Sequence, residues 1–160
     1  MIESWLPFFE WCEASAFGQF IRNSVWLFPA IEATHLLGLS ALGGTVLIVD
    51  LRLLGAGLTR QPIAVVAKAV HPWLLASVGL MLATGIPLFM SEAIKCYNNP
   101  SFWLKMGTLP IALAFALTVR RRVASDPTRE TSVVTRTVAT VSLVLWFTVA
   151  AAGRWIGLSS

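Results

Sequence analysis

Charge is scarce in this chain. Asp, Glu, Lys and Arg make up 12% of its 160 residues, about half the ~25% of an average soluble domain. Water is therefore not its main solvent. No nucleotide-binding glycine motif, internal repeat or low-complexity tract occurs. There is no Ser-His-Asp set, no pair of catalytic carboxylates and no phosphate loop, so hydrolase chemistry has no support. The N-terminal stretch MIESWLPFFEWCEASAFGQF lacks a basic n-region and carries three Glu, which does not read as a secretory signal peptide. Insertion is expected to rely on the spans themselves. Tyrosine occurs once, against seven Trp, a bias that suits membrane–water interfaces.

What is present is apolar. Hydrophobic residues reach 56% and the mean hydropathy is +0.74. A helix needs about 20 apolar residues to cross the hydrocarbon core, and four segments qualify: residues 24–49, 67–90, 102–119 and 134–157. Residues 2–20, with Trp5, Phe8, Phe9, Trp11, Phe17 and Phe20 set among Glu3, Glu10 and Glu13, read as an amphipathic helix lying in the interface. The expected fold is one all-α integral membrane domain over residues 1–160, a bundle of four transmembrane helices with an N-terminal interfacial helix.

The net charge of +4 does not point to nucleic acid, because the basic residues cluster between apolar runs. Arg52, Arg60 and Lys68 follow the first span, and Arg120, Arg121, Arg122, Arg129 and Arg136 follow the third. The other side holds only Arg22, Lys95, Lys105 and Arg154. Lys and Arg concentrate in cytoplasmic loops, so both termini are expected in the periplasm of a bacterial inner membrane. Cys12 and Cys96 then fall on the oxidising side, either as a disulfide or as two separate thiols.

Ionisable groups inside spans cost about 2.5–3.5 kcal/mol each on insertion scales and are functional candidates by default. Here they are Glu32, His35, His71, Lys105 and Arg154. At 1.5 Å per residue, His35 is expected near the midplane, with Glu32 one turn away on the same face. Lys105 and Arg154 are expected near the periplasmic ends of their helices. His71 directly precedes Pro72, where a kink or a helix start is expected.

Neutral imidazole is a ligand for metals and for haem iron. His35 is the first axial candidate for a haem b and His71 the second. Their expected depths differ by roughly 15 Å at 1.5 Å per residue, which disfavours both on one iron. Met81 is nearly level with His35 and offers Met/His ligation. Gly38, Gly43, Gly79, Gly85 and Gly153 are small enough to open a porphyrin slot, although small residues also simply let membrane helices pack. Lys105, Arg154 and the indoles of Trp103 and Trp155 stand where they can meet haem propionates, or act as snorkelling anchors. Copper is the other metal reading, with Met81, Met90 and Met106 as soft donors beside His35 and Glu32. No Met-x-x-Met or Cys-x-x-Cys cluster supports it. Glu32 and His35 form one ExxH pattern, whereas di-iron bundles use two such motifs and further carboxylates.

The segments SAFGQFIRNSVWLFPAIEATHLLGL, VDLRLLG, HPW, TGIPLF and FWLKM resemble a family of short bacterial inner-membrane proteins of unknown function. The resemblance covers most of the chain and implies four spans with an interfacial N-terminal helix. By architecture alone the chain is similar to four-helix b-type cytochromes, which implies haem binding. The leading expectation is a haem b protein for electron transfer or for redox or small-molecule sensing. A redox partner protein or quinone, and a homo-oligomer in the lipid bilayer, are its expected partners. The alternatives are a proton-coupled transporter using Glu32, His35 and Lys105, a copper-binding or assembly subunit, and a structural subunit of a larger complex. Whether the chain is an oxidoreductase component stays open at this point.

Overall fold

The structure, a computed structural model, describes residues 3–158; the expected start of the first helix at Ile2 lies outside them. Among the described residues every regular element is helical. Four helices are long and apolar enough to cross a membrane. They are α3 (Leu27–Leu54), α4 (Ile63–Ser91), the run formed by α6 (Pro100–Phe115), a π-helical turn (Ala116–Arg120) and α7 (Arg121–Ala124), and α8 (Val133–Leu158). The chain is a multi-pass membrane protein built as a four-helix bundle. Phe147 and Trp73 are 77% and 70% exposed, as expected for side chains that meet lipid.

The spans are longer than the apolar runs that announce them, because local caps set the ends. α3 continues past Val49 to Gly55, whose φ of +78° is the left-handed conformation that glycine adopts without a Cβ penalty. The amides of Gly55 and Ala56 return to the carbonyls of Arg52 and Leu51, closing the helix in the usual glycine C-terminal motif. α4 begins at Ile63, not at Ala67 or Pro72, and runs through both Pro72 and Pro87. α6 opens on Pro100, with the Asn99 side chain accepting from the Ser101 amide at 2.9 Å. At the head of α8, Ser132 and Thr135 bond each other's amides through their hydroxyls, a reciprocal cap.

α3 is the central helix, packed against both α4 and α8, and α6 packs on α8. α4 and α6 have few contacts with each other, so a lateral gap with α3 as its floor runs between them. Side chains bridge this gap at mid-bundle, where Leu42, Val46, Leu74, Ala112, Ala116, Trp146 and Val149 form one buried cluster.

The N-terminal segment differs from the single interfacial helix that its composition suggests. It forms α1 (Leu6–Ala14) and α2 (Ala16–Asn23), broken at Ser15, whose hydroxyl accepts from the Gly18 amide. Phe9 and Cys12 are buried against Ala93 and Cys96, with Phe89, Tyr97, Phe102 and Trp103 around them. The outer aromatics Trp5, Trp11 and Phe20 remain exposed. Glu13 locks this cap down. Its carboxylate pairs with Arg22 and accepts from the Ile94 amide at 2.7 Å, at the start of α5 (Ala93–Tyr97). Cys12 and Cys96 share this cluster as free thiols. Burial, and then the charge of Glu92, push the Cys96 thiol up to about 11, so little thiolate is present at neutral pH.

A Cβ on Gly18 would stand 2.5 Å from the Met90 carbonyl oxygen of α4, and a backbone atom cannot swing away. Gly18→Ala is therefore expected to lift α2 from α4 and to cost about 1–3 kcal/mol. This outweighs the ~1 kcal/mol that Ala gains over Gly inside a helix. Hydrogen exchange across α2 and thermal unfolding measure it. A more stable Gly18→Ala protein would mean that α2 is not docked there.

Candidate functional site

His35 lies in the third turn of α3 and is half-buried, its ring turned inward onto α4. It sits nearer the end of the bundle that carries both termini than expected. The reason is the extension of α3 to Leu54, which moves the helix midpoint past Gly38. The ring nitrogen Nδ1 lies 2.7 Å from Thr84 Oγ1. The Thr84 hydroxyl also lies 2.7 Å from the Leu80 carbonyl, to which it can donate while its oxygen accepts from the ring. In that arrangement the imidazole is the Nδ1–H tautomer, with its lone pair on Nε2.

Three glycines make room for three candidate side chains. A Cβ on Gly85 would meet His35 Cε1 at 3.2 Å, one on Gly153 would meet Lys105 Nζ at 3.4 Å, and one on Gly38 would meet Met81 Sδ at 3.2 Å. Gly43 and Gly79 face open space and seat nothing. Met81 thus points at α3 one turn below His35. Lys105 is half-buried and forms no ion pair or side-chain hydrogen bond with another described residue. Its charge bears on the His35 ring.

Other expected members stand elsewhere. Glu32 and Arg154 are exposed, and neither pairs with Lys105 or with the other. Three residues along an α-helix advance 60° short of a full turn, and Glu32 stands exposed whereas His35 meets α4. The Trp103 indole donates to the Tyr97 carbonyl at 2.9 Å, so its N–H is spent. His71 and Thr84 are 13 residues apart on α4, about 20 Å at 1.5 Å per residue. His35 and His71 therefore do not meet, and a bis-histidine site within one chain is excluded. Among the described residues no three His, Cys, Asp or Glu side chains converge.

A second polar cluster was not apparent from the sequence. Asp50, one residue beyond the expected first span, and Arg120, expected in a loop, lie inside the bundle at 0% and 4% exposure. Arg120 Nε donates to Asp50 Oδ1 at 2.6 Å, Ser142 Oγ donates to Asp50 Oδ2 at 2.6 Å, and Arg120 Nη2 reaches the Val46 carbonyl at 3.1 Å. One carboxylate thereby ties α3, the π-helical turn of the third span and α8 together. The π-helical turn ends at Arg120, a local widening that is frequent at functional sites.

With this geometry in place, the comparisons narrow the identity. The model of a family of unknown function, DUF6644, matches residues 8–159. The chain belongs to this family. Membership in DUF6644 agrees with the expectation of an uncharacterised membrane family and supplies no activity. No curated protein and no solved structure matches the chain.

Proposed function

We propose that this DUF6644 protein binds a b-type haem through His35 and uses it for electron transfer or for redox sensing. The observation that carries this reading is the Thr84 hydroxyl 2.7 Å from His35 Nδ1: with its hydrogen given to Leu80 it accepts from Nδ1–H and leaves the Nε2 lone pair for iron. Ligating histidines characteristically donate their other ring nitrogen in this way. The donor set fits the group: one imidazole, a thioether at Met81 one turn away, and the Lys105 cation for a propionate. When bound, the haem supplies one-electron chemistry; the chain holds it, orients the ligand and sets the surrounding charge.

Copper is the weaker reading. The Lys105 ammonium opposes a bare metal cation, and two donors do not complete a copper site. A Glu32–His35–Lys105 proton relay is weaker too, since Glu32 is exposed and bonds to neither of the other two. The bias of Lys and Arg in the two loops supports a bacterial inner membrane with both termini outside. Removing the buried Arg120 from that count leaves the bias in place. Exposed apolar faces, such as that of Leu47 and Phe147, suit a homo-oligomer, and a quinone or redox protein would be its electron partner.

Haem per chain, measured as the pyridine haemochrome on protein from haem-replete cells, tests the assignment. His35→Ala is expected to remove the haem, and His71→Ala to keep it. Retention in His35→Ala, or loss only in His71→Ala, overturns it.

A further inference from the structure

At the arginine-rich end, the gap between α4 and α6–α7 opens into a cavity of ≈ 280 Å³. This equals roughly nine water molecules at about 30 Å³ each, room for a glycerophosphate group but not for acyl chains. Its walls are small and apolar, including Ala67 and Ala116, and its polar side chains include Lys68, His71, Arg120 and Arg121. No acidic residue lines it. Arg120 is neutralised by Asp50. Lys68 and Arg121 stand exposed at the mouth and form no ion pair with a described residue. Lys68 is the sixth residue of α4, about 8 Å from the helix start, which is headgroup depth.

We infer that this cavity binds the phosphodiester headgroup of an anionic phospholipid from the leaflet on the arginine-rich side. Two uncompensated cations over an apolar pocket between transmembrane helices recognise an anion that carries a hydrocarbon body, and basic pockets of this kind bind acidic lipid headgroups. The headgroup sits between Lys68 and Arg121, with His71 as a further hydrogen-bonding group. The acyl chains run along the lipid-facing surface of α4 and α6. The site is distinct from His35 and does not depend on haem.

Native mass spectrometry of the full, delipidated protein in detergent tests this with dioctanoyl phosphatidylglycerol, dioctanoyl phosphatidylcholine and sodium phosphate. Phosphatidylglycerol is expected to bind saturably, at one per chain, at least tenfold tighter than phosphatidylcholine and without competition from phosphate. Each surface cation contributes about fivefold, so Lys68→Gln with Arg121→Gln is expected to weaken binding about twenty-five-fold. Arg129→Gln with Arg136→Gln, at the same end but outside the cavity, is expected to leave it unchanged. Thermal unfolding checks that the variants fold; if the double variant does not, each single change is expected to show its own fivefold loss. Equal binding of phosphatidylcholine overturns the proposal. So does competition by equimolar phosphate, which would mean a small-anion site, or an equal loss in the Arg129/Arg136 variant, which would mean diffuse attraction.

Discussion

Arg120→Ala is expected to destabilise the bundle by about 3–5 kcal/mol, the typical cost of removing one partner from a buried ion pair. The magnitude follows from what remains. Asp50 is fully buried, and without Arg120 its carboxylate keeps only the Ser142 hydroxyl. It must then stay charged without a counter-ion or take up a proton, and either route costs free energy. The Val46 carbonyl also loses the donor that reached it from the π-helical turn of the third span. A double variant, Asp50→Leu with Arg120→Met, removes both charges while filling the space, and is expected to recover most of the loss. Chemical unfolding in detergent micelles measures both. A cost below about 1 kcal/mol for Arg120→Ala would place the pair in contact with water.

The second large effect is at Thr84. Valine has the shape of threonine without its hydroxyl, so Thr84→Val leaves the packing of α4 on α3 in place. It removes the acceptor for His35 Nδ1–H. The ring then has no partner to hold its tautomer or its angle. Loss of such a supporting hydrogen bond typically costs 10–100-fold in affinity, and haem retention is expected to fall by about that factor, with a shifted reduction potential. Thr84→Ser keeps a hydroxyl and is expected to restore both. Equal haem affinity and potential in Thr84→Val would show that the hydroxyl does not orient a ligand.

The spans were legible because length and apolarity alone determine whether a helix can cross a bilayer. Their ends were not, because the chain buries charge in compensated sets. Asp50 looks like the first loop residue after TVLIV and Arg120 like the first of an arginine run. Only the packing of helices 70 residues apart shows that they neutralise each other. His35 and Met81 were visible as heteroatoms in apolar runs, and antiparallel α3 and α4 bring them within one turn of each other. Thr84 was overlooked because a threonine in a membrane helix ordinarily bonds its own backbone, as it does here to Leu80. The signal available was register: once His35 faces α4 next to Met81, the residue one turn toward the terminal end of the bundle is Thr84. Glu32 misled in the opposite direction, since spacing of three places a residue near a face without placing it on the contact.

The visible absorption spectrum of the wild-type protein, purified in mild detergent from haem-replete cells, bears most directly on the ligand assignment at His35. A Soret band with near one haem per chain, lost in His35→Ala while the bundle stays folded, is the expected result. A colourless, folded wild-type protein, or a Soret band unchanged in His35→Ala, would contradict it.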